Sequence, residues 1–179
     1  MGVDESPGLV FAKRSNPWRR RFPNPSAAEL RSSLDPHFPR GPGLERMTKY
    51  LATYAATLIA FLAIDFVWLG FVATRFYRAQ LGHMMLEKPL LGVAFAFYAL
   101  YAVGIVVFAV MPADRDESWR AAALLGALLG LVAYGTYDLT NFSTLKSWPV
   151  AMTFVDMAWG VVLTAASATA GYYAMSWFK

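Results

Sequence analysis

The chain contains no cysteine, which excludes disulfides, thiolate catalysis, iron–sulfur ligation and cysteine zinc sites and leaves no trace of a redox compartment. Histidine is nearly absent as well: His37 and His83 are the two present, both outside the apolar runs, so a haem held by two histidines between helices is excluded by count. Charge is scarce, at 16% of residues. There is no Gly-rich phosphate loop, no HExxH, no Gly-x-Ser-x-Gly and no Asp-x-x-Asp pair of the diphosphate-transferase kind. What is abundant is apolar surface. With 57% hydrophobic residues and a mean hydropathy of +0.39 over 179 residues, the chain is too apolar for a soluble domain.

Four runs are long enough for the roughly 30 Å of a bilayer core, which takes about 20 helical residues. They cover residues 50–72, 90–111, 121–141 and 150–177. Pro89, Pro112 and Pro149 fall at or just beyond their ends, where proline starts or stops a helix. Run one is too long for a removable signal peptide and lacks a small-residue cleavage site, so it reads as an uncleaved span. The expected fold is all-α: four transmembrane helices in an up-down-up-down bundle over residues 47–179, with both ends on one side.

Residues 1–46 are different in kind. They hold seven of the ten prolines, seven arginines and one lysine, without the periodicity that would build a core, so a disordered basic extension is expected. Such a tail would lie on anionic lipid. Alternatively it is not naturally translated, because Met47-Thr48-Lys49-Tyr50 before an apolar run looks like an ordinary start. With the extension counted, basic residues number twelve on the side of the termini against Arg75, Arg78, Lys88 and Lys146 on the other. That favours cytoplasmic termini; counted from Met47 the balance is even and orientation is undetermined.

Three aspartates lie inside the apolar runs: Asp65, Asp138 and Asp156. Each costs about 2.5–3.5 kcal/mol at the bilayer centre and less near its edge, so such residues face a bundle interior or a watery cavity. At 1.5 Å per residue, Asp65 and Asp138 lie about 23 and 25 Å along spans one and three, and Asp156 about 9 Å into span four. All three therefore fall within roughly 5–9 Å of the face opposite the termini. Loops 73–89 and 142–149 cap that face and bring Tyr77, His83, Glu87 and Lys146 near. Three- and four-residue steps put Tyr134, Asp138 and Asn141 on one stripe of span three, and Thr153, Asp156, Trp159, Gly160, Thr164 and Ser167 on one stripe of span four. Span two carries Tyr98 and Tyr101 but no charge and reads mostly as a wall. Gly126 and Gly130 form a GxxxG step, and Gly160 leaves room one turn from Asp156 for a group from another span.

Asp65-x-x-Trp68 and Asp156-x-x-Trp159 form a short repeat, each followed by glycine. The two spans run in opposite directions, so this is not the simple inverted duplication of transporters. Trp68 and Trp148 also fit plain interfacial anchoring, which is favoured over stacking on a cofactor.

The segments Asp65-Phe66-Val67-Trp68-Leu69-Gly70, Tyr77-Arg78-x-Gln80-Leu81-Gly82-His83, Tyr134-Gly135-Thr136-Tyr137-Asp138-Leu139-Thr140-Asn141 with Lys146-x-Trp148-Pro149, and Asp156-x-x-Trp159-Gly160 together resemble the bacterial four-span membrane family known as domain of unknown function 2177. The resemblance covers about Met47–Phe178. It implies a bacterial inner-membrane protein and brings no reaction, ligand or catalytic residue with it.

The candidate ligand- or proton-binding residues are therefore Asp65, Asp138, Asp156, Tyr134, Tyr137, Asn141, Trp68, Trp159, His83 and Lys146. Two close carboxylates in a low dielectric cannot both ionise cheaply, so one is expected to exchange a proton near neutral pH. The favoured function is a membrane protein that binds an amphiphilic or small polar ligand, as carrier or accessory factor. A lipid-modifying enzyme with an aspartate as acid/base, and a non-catalytic partner subunit, are the alternatives. A salt bridge from Lys146 or Arg78 would instead make the cluster structural. No metal or nucleic acid is expected and no cofactor is specified; the partners are the bilayer, a lipid or amphiphile, and a homo- or hetero-oligomer.

Overall fold

The computed structural model describes residues 26–33 and 42–178, and among these there is no strand. Helix α1, Ala27–Ser33, lies within the proline-rich extension. Its start is a reciprocal cap: Ser26 Oγ accepts the Glu29 N–H at 3.2 Å and Glu29 Oε2 accepts the Ser26 N–H at 2.5 Å. This Ser-x-x-Glu signature is local and needs no core, which is why a search for apolar periodicity passed over it. The expected disorder of residues 1–25 and 34–41 lies outside the described residues.

Four helical stretches are long and apolar enough to cross a bilayer: Gly43–Phe71, Leu91–Arg115, Trp119–Thr144 and Val150–Ser176. The protein is a four-span, up-down-up-down membrane bundle. Helix α2, Pro42–Trp68, passes through a π-helical segment, Leu69–Ala73, into α3, Thr74–Leu81. It starts earlier than residue 50 and runs on into the expected loop 73–89, because no proline follows Pro42 until Pro89. Tyr77 is thereby carried on a helix.

Helix α4, Leu91–Ile105, likewise runs through a π-helical segment, Val106–Val110, into α5, Met111–Arg115. Pro112, expected to stop span two, sits inside this continuous helix. A proline clashes with the carbonyl four residues back and lacks the N–H that would bond it. The wider π turn just before it, closed by the Met111 N–H on Val106 O, absorbs that conflict. Helix α6, Trp119–Thr144, is capped by Ser118 Oγ, which accepts the Ala121 N–H at 3.3 Å; α7, Val150–Ser176, starts directly after Pro149.

Helix α7 is the centre of the bundle, packed on α6 along one side and on α2 along another. Four-residue steps put Ala122, Gly126, Gly130 and Asp138 among the buried residues of α6. A Cβ on Gly130 would stand 2.2 Å from Gly160 O, and one on Gly126 would stand 2.8 Å from Thr164 O. The GxxxG step is thus a true backbone contact. Phe61, Tyr101, Ile105, Val110, Leu163 and Met175 fill the core. Buried Thr53, Thr57 and Ser167 each bond a carbonyl four residues back at 2.8 Å, so their hydroxyls are satisfied within their own helix. Lys49 Nζ meets Asp114 Oδ2 at 3.0 Å, joining the first turns of α2 to the end of α5.

Candidate functional site

At the other end of the bundle, Asp65 projects from α2 into the interior and is 6% exposed. Its Oδ2 accepts the Tyr98 hydroxyl of α4 at 2.8 Å, and its Oδ1 accepts the Trp159 indole N–H of α7 at 3.1 Å. Both donors are neutral, so the carboxyl is solvated by the protein without being paired to a cation.

Asp156 lies one helical turn from Trp159 on α7 and is half-buried. The Tyr77 hydroxyl of α3 donates to its Oδ1, and the Trp68 indole N–H reaches the Tyr77 oxygen at 3.4 Å. Trp68 and Trp159 stack face to face, centroids 4.3 Å apart and planes 10° from parallel. The Asp-x-x-Trp repeats therefore exchange partners: Asp65 with Trp159 directly, Asp156 with Trp68 through a phenol. Trp68 is engaged by an aromatic ring rather than serving as a bare interfacial anchor. Burial, reinforced by the Asp156 carboxyl, raises the pKa of Tyr77, so its phenol stays protonated across the physiological range.

Asp138 of α6 is 0% exposed, and neither of its carboxyl oxygens has a hydrogen-bond partner among the described residues. The Asp156 carboxyl is its close polar neighbour, near enough for the two to share a hydrogen bond once one of them is protonated. One turn away, the Tyr134 ring occupies the room that Gly160 leaves: a Cβ on Gly160 would fall 2.2 Å from that ring.

Between these groups lies a cavity of about 660 Å³. Asp65, Asp156, Tyr77, Tyr98, Tyr134, Tyr137 and Trp159 supply its polar and aromatic wall, with Leu69, Ala94, Phe97, Ala133 and Met152 among the apolar residues. An outer cavity of about 900 Å³ shares Leu69 and Tyr77 with it and adds Arg78, Met85, Leu86 and Glu87. Tyr77 thus lines both cavities.

Of the residues singled out in the sequence, Asp65, Asp156, Tyr134, Tyr137 and Trp159 share the inner cavity, and Trp68 joins them through its stack. Asp138 sits beside Asp156 without lining the cavity. Asn141 is half-buried and outside the lining. His83 and Lys146 are exposed, and among the described residues neither forms an ion pair with the carboxyls. Trp148 is buried, donating to Thr153 Oγ1 at 3.0 Å with its ring edge-on to Tyr137, so it is a packing residue and not an anchor in lipid. Among the described residues no ion pair reaches Asp65, Asp138 or Asp156, so neither Lys146 nor Arg78 closes the expected bridge. No three His, Asp or Glu side chains there converge as a metal site would require. Tyr77 and Tyr98 are the carboxyl donors that the candidate list lacked. Both are phenols at the depth of the aspartates, which is the signal that points to them.

The model of the family DUF2177, described as a predicted membrane protein, matches residues 50–173. The chain belongs to this family. The match takes in the second and third spans of this DUF2177 member whole, most of the first and fourth, and the site from Asp65 to Trp159. No curated protein and no solved structure matches it. The family description gives the membrane location and nothing of the chemistry, so in DUF2177 the geometry has to speak for function.

Proposed function

We propose that this protein binds an amphiphilic or small polar ligand in the inner cavity, as a carrier or accessory factor of the bacterial inner membrane with its termini in the cytoplasm. The observation that carries this reading is the cavity itself. A volume of about 660 Å³ with apolar walls and a few convergent polar groups has the size and lining of a small-molecule site. Its polar groups are held in place before any ligand arrives, Asp65 by two donors and Asp156 by Tyr77. The second cavity, which shares Leu69 and Tyr77 with the first, offers a path of entry under this reading.

Acid/base catalysis on a lipid is the second reading, favoured by one observation: buried Asp138 beside Asp156 is a carboxyl pair of the type that shares a proton.

Mass spectrometry of lipids and small molecules retained by the purified protein tests the first reading, with Ala133→Trp as the comparison because Ala133 lines the cavity. The expected result is a ligand held by the wild type and lost from an Ala133→Trp variant of unchanged thermal stability. Identical retention by both would overturn the cavity assignment. Turnover of that ligand by the wild type and not by Asp156→Asn would select the enzyme.

A further inference from the structure

We infer that the ligand of the inner cavity carries a positive charge, an ammonium-type headgroup on an apolar body. This rests on the cavity being a ligand site and names the chemistry that the site selects. Two carboxyls, Asp65 and Asp156, line one cavity in the membrane interior with Asp138 behind Asp156, and among the described residues no lysine, arginine or histidine lies in ion-pair range of them. The groups that do touch them are neutral phenols and indoles, which orient a carboxylate but cannot cancel its charge. Asp138 gives the independent sign. It is fully buried against Asp156, and among the described residues no donor other than that neighbouring carboxyl is placed to reach its oxygens. An unpaired buried carboxylate is costly to keep, and residues of this kind in spans are otherwise paired with each other or placed on a substrate path.

The aromatic lining points the same way. Tyr77, Tyr98, Tyr134, Tyr137 and Trp159 line the same space as Asp65 and Asp156. Rings around carboxylates form a cage for an organic cation: the ring quadrupole attracts the charge, and the methyl or methylene groups beside it are desolvated against carbon. An anionic headgroup would face two carboxylates with no donor cation. Arg78 lines the outer cavity together with Glu87, one charge of each sign, so that cavity favours neither sign.

The test is binding of two probes with the same tail and nearly the same headgroup volume. Dodecyltrimethylammonium is cationic, and dodecyldimethylamine N-oxide is net neutral in mildly alkaline buffer. Both are titrated calorimetrically into the full-length protein in phosphatidylcholine nanodiscs, with the signal from empty discs subtracted. The expected result is tighter binding of the cation by about tenfold or more, with that preference reduced to within about twofold in Asp156→Asn. Equal affinity of the wild type for the two probes would overturn the assignment of charge and leave the cavity reading intact. Specific binding of neither probe would overturn the ligand site, and this inference with it. If Asp156→Asn does not fold, the wild-type ratio alone decides, and Asp138→Asn serves as the second variant.

Discussion

Asp65 on α2 and Trp159 on α7 are joined by an indole hydrogen bond of 3.1 Å, ninety-four residues apart in sequence and directly opposed in space. The same tryptophan stacks on Trp68, one turn from Asp65 on its own helix. One antiparallel helix pair therefore contains both Asp-x-x-Trp units, each supplying what the other lacks: an acceptor on one helix, a donor on the other, and a ring from both between them.

Trp159→Phe separates these roles. It keeps a ring to stack on Trp68 and removes the N–H that Asp65 Oδ1 accepts. Leaving a buried acceptor short of a donor costs about 1–3 kcal/mol. Unfolding of the detergent-solubilised variant should show a loss of that size, and Trp68→Phe, whose N–H lies 3.4 Å from its acceptor, should lose less. Equal losses would mean that stacking, and not the hydrogen bond, sets the energy of the pair.

The α6–α7 interface makes a sharper packing claim. A methyl on Gly130 meets the backbone oxygen of Gly160 at 2.2 Å, whereas one on Gly104 meets nothing within 4 Å. A backbone atom cannot rotate away, so Gly130→Ala must push the helices apart, at about 1–3 kcal/mol for overpacking. Gly104→Ala gains helix propensity of about 1 kcal/mol with no clash to offset it. Thermal unfolding should therefore move in opposite directions for the two. A Gly130→Ala protein as stable as the wild type would refute the close approach.

Why the sequence disclosed so much of this follows from the solvent. In a bilayer, length and apolarity nearly determine a helix, and a carboxyl must turn inward; hence four spans, the stripe carrying Asp156 and Trp159, and the shared end of the bundle could be read from spacing alone. The identities of the partners could not. Helical phase fixes which way Asp65 points but not which helix stands opposite, so Tyr98 reads as wall in the sequence and is a donor in the structure. The extension of α2 into α3 was hidden for a related reason. Composition turns polar after Ala73, which suggests a loop, while the helix continues because nothing in the chain breaks it.

The phenol of Tyr77 gives a prediction about pH. Its pKa is raised by burial and by the Asp156 carboxyl, above the ordinary phenol value of about 10. Below about pH 10 the group is protonated in folded and unfolded chains alike, and its contribution to stability is fully present. As pH climbs from there toward the folded value, the unfolded phenol ionises first and stability is lost. The ultraviolet difference titration between wild type and Tyr77→Phe should show a phenol that ionises late. A difference band that titrates near 10 would show that Tyr77 is neither buried nor bonded to Asp156.

Two of the aspartates should respond in opposite ways to the same substitution. Asp65 has a partner on each oxygen, so Asp65→Leu strands the Tyr98 hydroxyl and the Trp159 N–H, each at a cost of about 1–3 kcal/mol if it finds no water. Asp138 has no partner on either oxygen. Asp138→Leu removes the buried carboxyl and strands no phenol or indole donor, which is neutral or stabilising where a poorly satisfied charge is replaced by packing, offset in part by the larger volume of leucine against α7. Melting temperatures of the two variants should therefore diverge, Asp65→Leu falling and Asp138→Leu holding or rising. A residue that weakens its own fold is retained for what it does, so Asp138→Leu should also lose ligand retention while gaining stability. If Asp138→Leu unfolds as readily as Asp65→Leu, Asp138 is a structural residue whose partner lies outside the described contacts, and its role at the cavity falls.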